Sequence, residues 1–381
     1  MQLREDLLNS SVSFLRQMPL GGGAHTRLDG GNGRLEVGAR YLEDGRVQIR
    51  YFAPEANSVA LNMPGKPMEL EREAHGVWSG ILPDSTPGYH WISILVDGVS
   101  VLSPHLPIGF GASEAINYLD IPGEGEEFHA CLPVAHGSLS REFYPASTTG
   151  RTESCLVYTP AGYETGKECY PVLYLQHGHG ENETCWSAQG KMNFILDNLI
   201  AAGKATPMIV VMNCGMVQLT DAEGNRNVVP MALENLLLKD CIPFIEEKYR
   251  CLTDRENRAM AGLSMGSMQT SFIALGHPEL FAWAGIFSGF MSSLAGLGDG
   301  NEPEYPALLQ DKQALENRFR LVFRAMGRQD PFLDHFLKDD RYLEACGLAN
   351  SPVLERKMYD GSHEWNVWRR CLRDFAQKIF R

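Results

Sequence analysis

A serine between two glycines is the first residue with the setting of a nucleophile. Residues 262–266, "GLSMG", have the pattern G-x-S-x-G around Ser264. The segment "RAMA" before them predicts a buried strand, and "SMQTSFIALG" after them predicts a helix that ends at Gly276. A serine on such a sharp strand-to-helix turn presents its hydroxyl for attack. The alternative is a serine that only caps an ordinary helix, and the strand and helix on its two sides favour the nucleophile.

A nucleophilic serine needs a histidine as its base. At nucleophile turns of this type, the acid and then the histidine follow the serine along the chain. Of the three histidines after Ser264, His277 lies directly behind the nucleophile helix, which carries it away from the serine, and His335 lies in a predicted helix. His363 lies in a Gly-Ser loop between a predicted strand and the last predicted helix. Because ligands bind at such strand ends in open sheets, His363 is the predicted base.

The base in turn needs an acid that orients its ring. The segment "LVFRAMGRQDPFLD" offers Asp330 and Asp334. Asp330 directly follows a predicted strand and its glycine turn, so its carboxylate can face the site, whereas Asp334 lies a turn later in a predicted helix. Asp330 is therefore the predicted acid. The alternative is that it only caps the helix that starts at Pro331.

Two backbone N–H groups are expected to stabilise the oxyanion that forms when a serine attacks a carbonyl. One is the N–H of Met265, the residue after the nucleophile. The other belongs to the loop after an early strand, "YLQHGHGENETCW", and we assign it to His179. His177, His179 and Glu181 also have the spacing H-x-H-x-E of a metal site, but no fourth ligand is evident and the glycines favour a donor loop. The sequence therefore predicts neither a metal nor a cofactor.

These residues require an α/β framework, and the sequence predicts one from about Gly123 onward. The runs "YPVLYLQHG" and "PMIVVMNCG" are almost continuously apolar, as in strands buried on both faces of a parallel sheet. Helix-spaced segments alternate with such runs, and Pro243 is expected to kink or split one helix. Residues 123–381 are therefore predicted to form one α/β domain with a central, mostly parallel sheet.

The earlier part of the chain has a different pattern. Residues 35–122 contain short alternating runs such as "YHWISILVDG", in which Asp97-Gly98 predicts a tight hairpin. This region predicts a small all-β, Ig-like sandwich. Residues 1–34 end in "GGGAHTRLDGGNG" and are interpreted as an N-terminal segment and linker.

Composition argues against several classes of partner. The 381 residues are 44% hydrophobic, enough for a large core. A formal net charge of −13, without any block of Lys or Arg, argues against nucleic acids and membranes as partners. Scattered cysteines and an N-terminus without an apolar signal-peptide core predict a cytoplasmic protein. A secreted or periplasmic protein, whose signal peptide is missing from this sequence, is the alternative.

Four segments together resemble the esterase D type of α/β hydrolases: "YPVLYLQHGHGENETCW", "GLSMGS", "GRQD" and "GSHEWNVWRR". This group includes feruloyl esterases, S-formylglutathione hydrolases, enterochelin esterases and mycolyltransferases. The resemblance is greatest to feruloyl and acetylxylan esterases, covers most of residues 124–381, and implies an α/β-hydrolase domain with the triad Ser264, Asp330 and His363. Ser267 replaces the second glycine of the family's "GLSMGG", and "VMNCGM" departs from its more usual Pro-Asn-Gly.

The preceding region is similar to the early-set sandwich of glycogen-branching enzymes, which is often classed with carbohydrate-binding modules. The combination is similar to two-domain feruloyl esterases of gut bacteria. It implies a serine esterase that removes hydroxycinnamoyl groups (feruloyl or p-coumaroyl) from plant cell-wall saccharides, with hydroxycinnamoylated or acetylated oligosaccharides as substrates. The alternatives are an acetylxylan esterase, an enterochelin-type siderophore esterase and, from another class, an inactive carbohydrate-binding protein.

A hydroxycinnamoyl group needs a flat apolar slot, whereas an acetyl group needs almost none. Loops at the predicted site carry large side chains that could form it: Trp186, Met216 and Trp365. We predict that these three bind the acyl group. The alternative is that some belong to the core and that Trp365 only supports the histidine loop.

Overall fold

The computed structural model describes residues 37–62, 67–293 and 304–381. The chain divides into two compact units, Met1–Glu127 and Phe128–Arg381. The predicted change of domain near Gly123 falls shortly before this division. The predicted N-terminal segment and linker, residues 1–34, lie outside the described residues.

The first unit contains two antiparallel sheets. Its strands are β1 (Gly38–Tyr41), β2 (Val47–Phe52), β3 (Val59–Asn62), β4 (Met68–Glu69), β5 (Glu71–Arg72), β6 (Val77–Ile81), β7 (Gly88–Val96), β8 (Val99–Val101), β9 (Ile108–Gly111) and β10 (Glu114–Ile121). One sheet has the order β1-β2-β6-β5, and the other has the order β4-β3-β7-β10-β9 with β8 paired to β7. Ile49 of the first sheet and Leu61 and Ile92 of the second are buried in one apolar core.

Asp97 and Gly98 form the turn between β7 and β8, with φ angles of 48° and 82°. Positive φ at both central residues is the type I′ geometry that Asp-Gly favours. Oδ1 of Asp97 also accepts the N–H groups of Asn57 and Ser58, at 2.9 and 2.8 Å. The predicted hairpin is confirmed, and its aspartate also fastens the loop before β3.

The described part of the second unit is built on an eight-stranded sheet. Its strands are β11 (Ser138–Ala146), β12 (Arg151–Thr159), β13 (Val172–Gln176), β14 (Ile209–Asn213), β17 (Arg258–Leu263), β18 (Trp283–Phe287), β19 (Leu321–Gly327) and β20 (Leu354–Tyr359), while β15 (Gln218–Thr220) and β16 (Arg226–Val228) form a separate hairpin. The order is β11-β12-β14-β13-β17-β18-β19-β20, and all neighbours from β14 onward are parallel. The predicted mostly parallel sheet is confirmed.

The helices of this unit alternate with its strands. Besides short 3₁₀ helices, the described residues of this unit contain α1 (Cys185–Ala188), α2 (Met192–Ala201), α3 (Leu233–Asn235), a π-helix (Leu236–Cys241), α4 (Ile242–Lys248), α5 (Met265–Gly276), α6 (Lys312–Arg318), α7 (Leu333–Ala345) and α8 (Trp365–Ala376). Helix α5 packs against β13, β17 and β18, and α8 packs against α2, β18 and β19. In residues 37–62, 67–293 and 304–381, every helix is too short or too polar to span a bilayer.

Two details of the sequence explain local structure. Strands β13 and β14 consist only of buried residues, as their almost continuous apolar runs predict, and β17 is buried throughout as well. Pro243 lies in the first turn of α4, directly after the π-helix. Proline displaces the carbonyl four residues before it, here that of Lys239, and the wider π turn accommodates this. The predicted split is therefore a change of helix type instead of a break.

The strand order reverses beside β13. The chain passes from β13 to β14 on one side of it and returns to β17 on the other. Loops that leave the carboxyl ends of β13 and β17 diverge at this point, which is where ligands bind in open α/β sheets. The topology therefore places the candidate residues of both loops at one crevice.

Candidate active site

Ser264 lies between β17 and α5 in a strained backbone conformation. Its φ and ψ are 51° and −118°, a region that residues other than glycine rarely occupy. The flanking glycines make room for it: a Cβ on Gly262 would lie 2.4 Å from the carbonyl oxygen of Gly266, and one on Gly266 would lie 2.5 Å from that of His177. The N–H of Ser264 donates to the carbonyl of Phe287 at 3.0 Å. The local fold is the strand, turn and helix that the G-x-S-x-G pattern predicts.

Asp330 and His363 are hydrogen-bonded to each other. Nδ1 of His363 donates to Oδ2 of Asp330 at 2.9 Å, and Oδ1 of Asp330 accepts the N–H of Phe332 at 2.9 Å. Asp330 is only 4% exposed, whereas His363 is half-buried. A histidine held through Nδ1 keeps Nε2 free to take up a proton. The aspartate thus caps the turn before α7 and also orients the histidine.

Ser264, Asp330 and His363 leave the same edge of the sheet. They follow β17, β19 and β20, which are joined through β18 into one parallel array. Leu263, the last residue of β17, lies level with Phe287 at the end of β18. The carboxyl ends of these strands therefore meet along one line, and the three side chains arise from it.

The residues that the sequence analysis set aside lie in other surroundings. The ring of His277 pairs with Glu234 at 2.7 Å. Asp334 is exposed in the first turn of α7. The ring of His335 packs edge-to-face against Phe290 with centroids 5.3 Å apart. Each position is explained without a role as base or acid at Ser264.

The loop after β13 forms a tight turn beside the serine. The N–H of Glu181 donates to the carbonyl of Gly178 at 3.3 Å, and Gly180 has a φ of 72°, as the third position of a type II turn requires. A Cβ on Gly178 would lie 3.4 Å from the Cβ of Ser264. Within the described residues, the N–H of His179 donates to no other group. It is therefore available to an oxyanion.

Met265 is the first residue of α5. The first N–H groups of a helix have no partner inside it. The N–H groups of His179 and Met265 are thus the candidate oxyanion donors.

His177 is a buried neutral histidine that joins two loops. Its Nδ1 donates to the carbonyl of Gly178 at 2.7 Å, and its Nε2 accepts the N–H of Gly215 at 2.9 Å. Burial lowers the pKa of His177 to about 4. Both ring nitrogens are occupied by backbone groups, which leaves neither for a metal. Across residues 37–62, 67–293 and 304–381, no group of three or more His, Cys, Asp or Glu side chains could hold a metal ion.

Glu181 interacts with two loops of the site, although the sequence analysis considered it only as a metal ligand. Its Oε2 accepts the N–H of Gly178 at 2.9 Å, and its carboxylate also accepts the side-chain N–H of Trp365. Burial raises the pKa of Glu181 to about 7, against the effect of these two hydrogen bonds. The available signal was its position: a glutamate three residues along a turn can reach back to the first N–H, as in a capping box.

Trp186 and Trp365 do not line a pocket, and this part of the prediction is wrong. They are 1% and 2% exposed, and their rings meet edge-to-face with centroids 5.1 Å apart. The indole N–H of Trp186 donates to the carbonyl of Gln176 at 2.8 Å. Rings buried in this way have no free surface for an acyl group, so they support the site's loops from the core. Met216 is half-buried and stays a candidate.

Aromatic side chains beside His363 were not identified from the sequence. The ring of Phe332 lies edge-on to those of His363 and Phe290, with centroids 5.0 and 5.5 Å away. Phe332 and His335 are both partly exposed, so they present aromatic surface next to the histidine. The signal in the sequence was that Phe332 follows the predicted acid by two positions.

Comparisons with known proteins place this geometry in a family. The Esterase family model matches residues 146–379. The endo-1,4-beta-xylanase/feruloyl esterase of Xylanibacter ruminicola is 33% identical over 348 residues, which are 89% of this chain and 45% of that protein. The chain therefore spans less than half the length of this relative.

Two solved structures are similar in fold. A ferulic acid esterase of Anaeromyces mucronatus has a TM-score of 0.55 at 23% identity, over 67% of this chain and 95% of that chain. The enterobactin esterase of Shigella flexneri has a TM-score of 0.64 at 14% identity, over 90% of this chain and 96% of that chain. Likeness at these identities shows the fold alone, and that fold is of the α/β-hydrolase type. Because the family model covers more than half of the chain, this protein belongs to the Esterase family.

Proposed function

We propose that this protein is a serine carboxylic-ester hydrolase that removes feruloyl or p-coumaroyl groups from plant cell-wall saccharides. The observation that carries the proposal is the 2.9 Å hydrogen bond between His363 and Asp330, at the sheet edge where Ser264 follows β17. A serine on a strained turn with an acid-oriented histidine at the same edge is suited to acyl transfer.

The reaction proceeds through an acyl-enzyme. Oγ of Ser264 attacks the ester carbonyl while Nε2 of His363 takes the hydroxyl proton, and Asp330 keeps the imidazole in the required tautomer. The N–H groups of His179 and Met265 bind the oxyanion. The C–O bond to the sugar then breaks, and His363 returns the proton to the leaving sugar hydroxyl. A water activated by His363 cleaves the acyl-enzyme, which releases the hydroxycinnamate and restores Ser264.

The aromatic part of the substrate is assigned to the surface beside the histidine. Phe332 and His335 provide partly exposed rings there, and Met216 provides an apolar side chain on the loop after β14. Burial of about 150 Å² of an aromatic acyl group at about 25 cal/mol per Å² would contribute a few kcal/mol to selectivity over acetyl esters. The names of the Xylanibacter and Anaeromyces proteins, a feruloyl esterase and a ferulic acid esterase, support this substrate class.

The first unit is proposed to be an early-set, Ig-like sandwich of the carbohydrate-binding-module type. Described residues of its two antiparallel sheets share one apolar core, which supports a sandwich. The structural match to the Shigella esterase covers 90% of this chain. This is more than the second unit by itself contains, so the match extends into the first unit.

The test is a substrate panel measured with wild type and Ser264→Ala. Methyl ferulate is expected to have a higher kcat/KM than methyl acetate. The Ser264→Ala variant should keep the wild-type circular dichroism spectrum and lose at least about three orders of magnitude in rate. Residual activity within about tenfold of wild type would mean that another residue is the nucleophile. A fluorophosphonate probe that fails to label the wild-type protein would favour an inactive carbohydrate-binding protein.

The second candidate function is hydrolysis of a catecholate siderophore ester. It is favoured by the enterobactin esterase of Shigella flexneri, whose fold matches with a TM-score of 0.64 over 90% of this chain. A siderophore lactone in the panel separates the two candidates by kcat/KM. A preference for p-nitrophenyl acetate and acetylated xylan over methyl ferulate would instead favour an acetylxylan esterase.

A further inference from the structure

Glu181 is hydrogen-bonded to two loops that the sequence separates by more than 180 positions. The first bond comes from the N–H of Gly178, which donates to Oε2 at 2.9 Å. The second comes from the side-chain N–H of Trp365. Trp365 lies two residues after His363, the proposed base. One carboxylate therefore joins the turn beside the nucleophile to the start of the helix behind the base.

The turn that Glu181 closes carries a proposed oxyanion donor. Glu181 closes the turn with two hydrogen bonds. Its own N–H donates to the carbonyl of Gly178 at 3.3 Å, and its side chain accepts the N–H of Gly178. His179 lies inside this turn, so its N–H direction depends on the turn's geometry. Oxyanion donors stabilise a transition state only when they are fixed in advance, to within about 0.5 Å.

Trp365, the second donor to Glu181, is held in place by aromatic packing. The ring of Trp365 packs edge-to-face against Trp186 and Trp368, with centroids 5.1 Å away in each case. Trp368 in turn contacts the ring of His363 with centroids 5.1 Å apart. The indole that donates to Glu181 is thus part of the packing that holds the histidine.

We propose that Glu181 is a positioning residue. Its carboxylate fixes the turn of residues 178–181 relative to the loop that carries His363, through the Gly178 N–H and the Trp365 indole N–H. The inference rests on the proposed ester-hydrolase function. Burial raises the pKa of Glu181 to about 7, and the two hydrogen bonds counteract that shift, so the ionised carboxylate depends on both donors. Glu181 is partly buried, and the two hydrogen bonds offset the cost of keeping its carboxylate ionised there.

The test uses Glu181→Gln, Trp365→Phe and the double variant, assayed at pH 8 on p-nitrophenyl acetate and on the preferred ester. Glu181→Gln removes the charge at constant shape, and Trp365→Phe removes only the indole N–H donor and part of the ring. An oxyanion donor acts mainly in the transition state, so its displacement lowers kcat and leaves KM nearly unchanged. Glu181→Gln is therefore expected to lower kcat about 10- to 100-fold with KM within about twofold of wild type. Trp365→Phe should lower kcat less than Glu181→Gln does. The kcat of the double variant should lie within about twofold of that of Glu181→Gln.

The matched control is Glu183→Gln. Glu183 lies on the same loop, but its Oε1 accepts from Arg141 at 2.6 Å and from Ser154 at 3.3 Å instead of from the turn. Its kcat should stay within about twofold of wild type. Hydrogen exchange in the 177–183 segment, which needs no substrate, should rise in Glu181→Gln and not in Glu183→Gln.

The inference is overturned if Glu181→Gln keeps kcat within twofold, if only KM rises, or if the losses in Glu181→Gln and Trp365→Phe multiply in the double variant. Unchanged exchange in the 177–183 segment would overturn it as well. Should Glu181→Gln fail to fold, an unchanged kcat in Trp365→Phe would be decisive against it. If Ser264→Ala stays active, the proposed function is wrong. If Ser264→Ala is inactive while Glu181→Gln and Trp365→Phe keep wild-type activity, only the positioning role of Glu181 is wrong.

Discussion

Asp330 and His363 are joined by a hydrogen bond through Nδ1 of the imidazole. The Nδ1–Oδ2 distance is 2.9 Å, and the second oxygen of Asp330 is held by the N–H of Phe332 at the same distance. The carboxylate is therefore fixed from two sides and cannot rotate away from the imidazole. The backbone turn that precedes α7 therefore fixes the orientation of His363, the proposed base.

Replacement of Asp330 by Asn should lower kcat by about 10⁴-fold, because an amide favours the wrong imidazole tautomer. Asp334→Asn is the control, since Asp334 is exposed in the next helical turn. Steady-state kinetics with the preferred ester measure both. A silent Asp330→Asn together with an inactive Asp334→Asn would move the acid to Asp334.

Phe332→Ala should lower kcat/KM for methyl ferulate about tenfold more than for p-nitrophenyl acetate, because it removes aromatic surface beside His363. Trp186→Ala makes the contrasting case. Trp186 is buried, so its loss should cost about 3–5 kcal/mol of unfolding free energy and lower turnover of both esters alike. Equal losses on both esters in Phe332→Ala would argue that its ring is structural.

His177 should make the protein less stable in acid. The pKa of His177 is about 4 in the folded protein, below its ordinary value of 6.5, because burial disfavours the charged ring. The unfolded chain therefore binds a proton that the folded chain does not as the pH falls from 6.5 to 4. This linkage removes about 3 kcal/mol of unfolding free energy over that range. The free energy of unfolding, measured with urea at pH 7 and at pH 4.5, should differ less between the two pH values in His177→Gln than in wild type.

The control for that experiment is His277→Gln. Burial lowers the pKa of His277, but hydrogen bonds to Glu234 and Glu279 outweigh it and raise the pKa overall. Its stabilising contribution is present at low pH and is lost as the pH rises. Removal of His277 should therefore enlarge the loss of stability in acid, and the same direction of change in both variants would contradict the assignment for His177.

Gly266→Ala should destabilise the protein by at least about 1–3 kcal/mol, because the new Cβ would lie 2.5 Å from the carbonyl oxygen of His177. Gly276→Ala, at the other end of the same helix, has nothing within 4 Å of its added Cβ. It should leave the melting temperature unchanged or slightly raised. Thermal unfolding of the two variants makes the comparison, and equal melting temperatures would show that the turn can relax around Gly266.

The elements of the second unit were predictable because their signals are local. Apolar runs mark β13 and β14, and a serine between glycines marks the turn between β17 and α5. Asp330 and His363 could be chosen because each follows a strand end, and parallel strand ends gather at one edge. The hydrogen bond between them was an inference from order along the chain.

The side chains on the loops were not predictable in the same way. A tryptophan on a loop can face the ligand or fold back into the core, and its neighbours in sequence do not decide this. Trp186 and Trp365 are buried against each other across a long sequence separation. Glu181 was missed for a related reason, because one of its two donors comes from Trp365, far along the chain.

The backbone of Ser264 lowers the stability of the protein at the position of the proposed nucleophile. At a φ of 51° and a ψ of −118°, a serine carries a steric penalty of about 1–3 kcal/mol that a glycine would avoid. Only the serine presents a hydroxyl, so we expect the variant that folds most favourably at this position to lack the proposed nucleophile. Laboratory evolution for thermostability alone would tend to remove the proposed nucleophile, whereas selection for turnover would retain the strain.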